Sequence, residues 1–140
     1  MISQRLKGNF NRLEKFLNQD ISNVTRRTLN KYGEQSTEKL KENTPVRTGL
    51  TRASWSYKIK KTNEGYTLQW INTNVSKDGV PIVVLLEYGH GTSSGGYVPP
   101  QSFIRKTLRP YLERIGAIAA RNIARNKSTY DIGEEVNDNE

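Results

Sequence analysis

Apolar residues in the first third of the chain recur at helical spacing. Phe10, Leu13, Leu17, Ile21, Val24, Tyr32 and Leu40 lie three or four residues apart, or at multiples of those steps, with Phe16 and Leu29 near the edges of the stripe. That period puts them on one face of a helix and predicts one long helix over residues 5–43. Gly33 falls inside it and marks a kink or a break. Asn43-Thr44-Pro45 ends the pattern, because the residue before a proline resists the α region. At about 1.5 Å per residue such a helix outruns a small domain, so its stripe needs a cover.

The period then changes to two. After a turn at "PVRTGLT", the stretch "RASWSYKIK" alternates: Ala53, Trp55, Tyr57 and Ile59 point one way and Ser54, Ser56, Lys58 and Lys60 the other. This is the pattern of a half-buried strand. A second alternating run, "YTLQWINT", follows the loop "KTNEG", with Tyr66, Leu68 and Trp70 on one face, and the pair predicts an antiparallel hairpin. The short apolar run "VPIVVLLEYG" fits either a buried strand, which its β-branched residues favour, or two turns of helix. From about Ser102 a second helix is predicted, with Ile104, Leu108, Tyr111, Leu112, Ile115, Ile118, Ala119 and Ile123 on one side and Pro110 bending or splitting it. The expected architecture is α+β: a long N-terminal helix and a C-terminal helix packed on a small antiparallel sheet. It forms one domain over residues 1–126, with an acidic, mobile tail over 127–140.

Composition narrows the function. Hydrophobic residues make up 34% of the 140-residue chain and mean hydropathy is −0.77, low for a self-contained globule. The subunit is therefore expected to complete its burial against partners. The absence of cysteine excludes disulfides, thiolate catalysis and cysteine-based zinc sites. A single histidine excludes a His-rich metal site. No apolar run approaches the roughly 20 residues that span a bilayer, and "MISQRLKGNFNRLEKFL" lacks the apolar segment of a secretory signal. A soluble protein made in a cytoplasm, with no membrane partner, is expected. Five of the 14 acidic residues (Asp131, Glu134, Glu135, Asp138, Glu140) follow Lys127 with no basic residue among them. The first 127 residues thus hold 22 basic against nine acidic residues, a net of +13. A basic body with an acidic end fits nucleic acid or an acidic partner, and also fits a plain solvated surface.

In "EYGHGTSSGGYVPPQSFIR", residues 87–105, four glycines, two serines and a threonine fall within residues 89–96 around the histidine. Gly91 and Gly96 have P-loop spacing, but Tyr97 and Val98 stand where the lysine and hydroxyl are needed. A set of His90, Glu87 and Ser93 or Ser94 lacks the rigid elbow that raises a nucleophile, so an exposed loop histidine is favoured. Glu87 is the only acid between Asp78 and Glu113, too few for carboxylate or Mg²⁺ chemistry. No catalytic, cofactor or metal residues are assigned. The glycine loop, Gly91 to Gly96, reads as an adaptable contact joint, poorly ordered unless a neighbour holds it. Lys58, Lys60 and Lys61 are candidate DNA-facing residues; the alternating aromatics beside them read as core.

The order of the motifs adds a resemblance. A "TPVRTGLTRASW" turn and strand, then "LLEYGHGT", then "PPQSFIRKTLRP" resemble the tail-completion, or head–tail joining, proteins of tailed bacteriophages, the HK-type gene-ten-like tail component family. The residues that carry it are Pro45, Val46, Thr48, Gly49, Arg52 and Ser54; Glu87, Tyr88, Gly89 and Thr92; and Pro99, Pro100, Phe103, Ile104 and Arg105. It covers residues 10–125. Departures are Arg47 where an acid is usual, Leu50 one place early, and Gly-His inserted after Gly89.

The resemblance implies a structural, non-enzymatic virion protein without a cofactor. It implies a homo-oligomeric ring of six or twelve subunits in the neck, made in the bacterial cytoplasm. Expected partners are the head-closure or connector, tail-terminator and tail-tube proteins, with non-specific contact to DNA passing through the lumen. The motif residues are then assembly candidates. A small basic nucleic-acid-binding protein is the alternative.

Overall fold

In the computed structural model, residues 4–45, 49–92 and 94–132 are described, with side chains from Gly8 to Asn126. The first 43 residues do not form one helix. A helix α1 (Gln4–Phe16) stops, a short strand β1 (Asn18–Ile21) follows, and a second helix α2 (Arg26–Asn43) begins. Polar side chains make the break. Asn18 donates to the Glu14 carbonyl and Gln19 to that of Phe16, both at 2.6 Å, so the last turn of α1 closes on side chains. Asn23 takes the left-handed conformation at φ 59. Thr25 caps α2, its hydroxyl accepting from the Thr28 amide at 3.2 Å, which satisfies a donor that a helix start leaves orphaned. The apolar steps from Phe10 to Val24 keep helical spacing across this break by coincidence, so periodicity alone could not reveal it.

The predicted hairpin is present, as β2 (Trp55–Lys61) and β3 (Tyr66–Asn72) in antiparallel register with Tyr57 opposite Trp70. The predicted first strand begins late, because Leu50–Ala53 is a single helical turn, α3. β1 pairs with the other side of β3, giving the order β1-β3-β2 with β2 at an open edge. Gly65 is required where β1 passes: a Cβ there would lie 2.2 Å from the Ile21 carbonyl oxygen.

α2 covers the aromatic face of this sheet. The indole of Trp70 donates to Ser36 at 2.9 Å, and that of Trp55 donates to Thr44 at 2.9 Å. Gly33 is neither kink nor break. It sits inside a continuous α2, and a Cβ there would come within 2.6 Å of the Tyr57 ring, so the glycine makes room for that ring.

"VPIVVLLEYG" becomes a helix, α4 (Ile82–Tyr88), burying Val83, Val84, Leu86 and Glu87. Packing overrides the β-branched preference here. A two-residue hairpin, β4 (His90–Gly91) with β5 (Tyr97–Val98), leads to the long helix α5 (Phe103–Ile132). α5 runs unbroken through Pro110. Pro110 and Lys106, whose carbonyl loses its donor, are both exposed, so the bond is lost on the solvent side of the helix. α5 lies antiparallel to α2: Asn43 donates to Thr107 at 3.0 Å, and Asn122 donates to the Asn23 carbonyl at 2.9 Å. Its buried side follows the sequence reading except at one end, where Ile123 is exposed and Asn122 is buried instead. The over-long helix is therefore the C-terminal one. It continues through residues 127–132, while residues 133–140 of the expected tail lie outside the described residues.

Candidate functional site

Several of the motif residues that are described gather into two fastenings inside the subunit. The first closes the end of α2 against the sheet. Thr44, fully buried, donates its hydroxyl to the Leu40 carbonyl and accepts the Trp55 indole N–H. The chain then turns through half-buried Pro45; Val46, Arg47 and Thr48 lie outside the described residues. Gly49 precedes α3 at φ 84, a conformation that favours glycine. Arg52 reaches back to donate to the Glu42 carbonyl at 3.4 Å, and Ser54 donates to Leu50 at 2.7 Å. A cation on the last carbonyls of a helix satisfies acceptors that the helix leaves open. Asn72 and Asn74 tie the same turn to β3 through Thr51, at 2.8 and 2.6 Å.

The second fastening joins α4 to α5. Glu87, 3% exposed, accepts the amide N–H of Ile104 at 3.0 Å, so its carboxylate caps the start of α5 from a distant helix. Burial pushes the Glu87 carboxyl above its ordinary value, while the backbone N–H groups of Ile104, Arg105 and Phe103 and the Arg105 guanidinium pull the other way. Beside it, Arg105 donates to the Tyr88 hydroxyl at 2.6 Å and lies over two rings, Phe16 at 5.5 Å and Tyr88 at 5.4 Å. One guanidinium thus pins α1, α4 and α5 together. Gly89 follows at φ 77, and a Cβ there would meet the Tyr97 hydroxyl at 2.7 Å, the Val98 carbonyl at 2.8 Å and the Pro100 nitrogen at 2.9 Å. The Gln101 amide then bonds the Leu86 carbonyl at 2.8 Å, and Phe103 is buried. Pro99 and Pro100 are exposed.

Between the edges of this fastening, the glycine loop closes on itself. The Thr92 amide donates to the Gly96 carbonyl at 2.9 Å, and the Thr92 hydroxyl accepts the Gly96 amide at 2.9 Å. The described residues of this expected contact joint form a hairpin tip with its own internal bonds. The imagined nucleophilic set is not assembled. Glu87 is committed to α5, and the His90 ring nitrogen Nδ1 lies 3.3 Å from the Leu85 carbonyl; Ser93 lies outside the described residues. Among the described residues no cluster of three metal-binding side chains occurs, and no helix is long and apolar enough to cross a membrane.

The three candidate lysines are exposed but do not share a face. Lys58 and Lys60 stand opposite Gln69 and Thr67 on the outer face of the sheet. Lys61 pairs with Tyr66 on the aromatic side, its ammonium 4.7 Å from the ring centre. Sequence reasoning missed Thr44, Ser36, Asn72 and Asn74, polar residues that hold the indoles and the turn; only Thr44, in front of a proline, carried a signal.

A family model described as "Bacteriophage HK97-gp10, putative tail-component" matches residues 7–89. The match spans more than half of the chain, from α1 through Gly89. It includes the first fastening and the α4 side of the second, and ends before Pro99. Comparison with curated proteins and with solved structures gives no match.

Proposed function

We propose that this chain, which belongs to the HK97-gp10-like family of phage tail components, is a structural subunit of the virion neck. In this reading it forms an oligomeric ring that completes the tail or joins it to the head, and it carries out no catalysis. The observation that carries the reading is what the shared motif does in the fold. Thr44, Arg52 and Trp55 close the end of α2 on the sheet, and Glu87 holds the start of α5. The residues that mark the family build the subunit rather than a reactive cleft, as befits a component whose product is an assembly. Two surfaces support a partner-dependent subunit: the open edge of β2 and the exposed turn of α5 after Asn122. Partners of the ring are the connector, tail-terminator and tail-tube proteins.

Native mass spectrometry and electron microscopy of the purified protein, alone and with those partners, test the reading. A discrete closed ring is expected. A chain that stays monomeric under every condition, and is missing from purified virions, overturns it.

A further inference from the structure

The three-stranded sheet ends in two open edges, β1 on one side and β2 on the other. Its backbone bonds show which peptide groups face outward. The Leu17 carbonyl accepts the Trp70 amide at 2.9 Å. Bonding alternates along an antiparallel pair, so Gln19 and Ile21 also bond β3, while the peptide groups of Asn18 and Asp20 face away from it. At the other edge the Ser54 carbonyl accepts the Thr73 amide at 3.4 Å. By the same alternation Ser56, Lys58 and Lys60 bond β3, and the peptide groups of Tyr57 and Ile59 face outward. Arg26 reaches the outward Ile59 carbonyl, at 3.5 Å.

The two edges carry opposite charge on one face. On the outer face of the sheet, away from α2, Asn18 and Asp20 stand at the β1 edge, and Ser56, Lys58 and Lys60 at the β2 edge. Asp20, Lys58 and Lys60 are exposed, and none has an ion pair among the described residues. Within one copy β3 lies between the acid and the lysines, two strand spacings or about 10 Å across. The Thr67 hydroxyl donates to one Asp20 oxygen at 2.7 Å, and a carboxylate has lone pairs for further donors.

We infer that β1 of one copy adds as a parallel strand to the open edge of β2 of the next copy, with Asp20 beside Lys58. This rests on the ring reading and names the contact that builds the ring. β1 and β2 run the same way, because each is antiparallel to β3. A ring that keeps every copy's helices on one side of a continuing sheet therefore brings β2 against the next β1 in parallel. The bonds of a parallel pair are slanted: a residue bonds the two that flank its opposite, and opposite residues share a face. The outward peptide groups of Tyr57 and Ile59 then meet those of Asn18 and Asp20. Gln19 stands opposite Tyr57, Asp20 opposite Lys58 and Ile21 opposite Ile59. Half-buried Ile21 and Ile59 meet on the inner face, acid meets base on the outer one, and the long Arg26 contact gives way. The contact joins two different surfaces, so it is head-to-tail, the type of interface that closes into rings. A β2 edge paired with another β2 edge would instead set Lys58 and Lys60 against like charges. DNA has no peptide groups to meet those of the edge, whereas an added strand does.

The chain has no cysteine, so an introduced pair reports its own contact. Asn18→Cys/Ser56→Cys places thiols opposite each other across the proposed strand pair. Within one copy β3 separates the two positions, beyond the roughly 7 Å between Cα atoms that a disulfide can bridge. Mild oxidation of the assembled protein is expected to give a ladder of linked chains that stops at one ring size. Asn18→Cys/Lys60→Cys, out of register, is expected to give none. In the cysteine-free chain, Asp20→Lys and Lys58→Asp are each expected to weaken association about tenfold or more, followed by sedimentation at about 50 mM salt. About 500 mM salt should narrow the gap. The combined Asp20→Lys/Lys58→Asp chain should restore association, which a misfolded variant would not do. A ring that forms while Asn18→Cys/Ser56→Cys stays unlinked, or that tolerates Asp20→Lys unchanged, overturns the strand pairing and leaves the ring. A Ser56→Cys chain that links only to a connector or tail protein gives the edge to that partner, and a Lys58→Asp chain that loses DNA binding but not association gives it to DNA; either overturns the pairing. A full chain that forms no ring with any partner removes both readings.

Discussion

Replacing Glu87 by alanine removes the acceptor that caps a 30-residue helix. The Ile104 amide is buried and has no water to turn to. A hydrogen bond to a charged group contributes roughly 1.5–3 kcal/mol, and a partly buried carboxylate at a helix N-terminus gains up to about 2 kcal/mol from the dipole. The raised pKa shows that burying the charge costs more than these contacts return, so the expected loss is that of stranding the buried Ile104 amide, about 2 kcal/mol. With an unfolding entropy of about 2.1 cal/mol/K per residue, each kcal/mol moves the melting temperature of a chain this size by roughly 3–4 °C. Glu87→Ala should therefore melt about 7 °C lower by circular dichroism at neutral pH. Glu87→Gln keeps an acceptor without a charge and should lose less than about 1 kcal/mol. The pH dependence separates the two contributions. Burial raises the folded-state pKa above the ordinary carboxyl value, so the native state holds this proton more tightly than the unfolded chain does. Relative to Glu87→Gln, the wild type should lose stability as pH rises from about 4.5 through the folded pKa, and regain it on acidification. A Glu87→Ala protein within about 0.5 kcal/mol of wild type, or a wild-type advantage over Glu87→Gln that grows with pH, would refute this reasoning.

Gly89→Ala places a methyl within 2.9 Å of three atoms at a positive φ and should cost more than about 2 kcal/mol in urea melts. Thr44→Val strands the buried Trp55 indole N–H; a loss of about 1–3 kcal/mol is expected, with a change in near-ultraviolet circular dichroism. Gly33→Ala pushes on the Tyr57 ring and should cost roughly 1–3 kcal/mol, with Tyr57→Ala in the same chain removing the clash and its share of the loss. Arg105→Lys keeps the charge but loses the planar stack on Phe16 and Tyr88; it should lower the urea midpoint by the equivalent of about 1 kcal/mol.

Much of this fold was readable because alternation and helical period coincide with burial. Trp55, Leu68 and Trp70 are buried as their strand pattern requires, and Ile104, Leu108, Ile115 and Ile118 as their helix pattern requires. The N-terminal break was not readable from hydrophobicity, since Leu17, Ile21 and Val24 suit a helix and a strand-turn equally. It is made by Asn18, Gln19, Asn23 and Thr25 through local polar bonds. The motif positions were legible but their roles were not. That Glu87 caps a helix starting sixteen residues later depends on a long-range contact no local pattern encodes.

The most direct test of the neck assignment is electron microscopy of lysates from phage lacking this gene, with and without the protein supplied from a plasmid. The account predicts DNA-filled heads and tails that accumulate separately, with joined particles restored by the plasmid. Intact virions at the wild-type yield in its absence would contradict it.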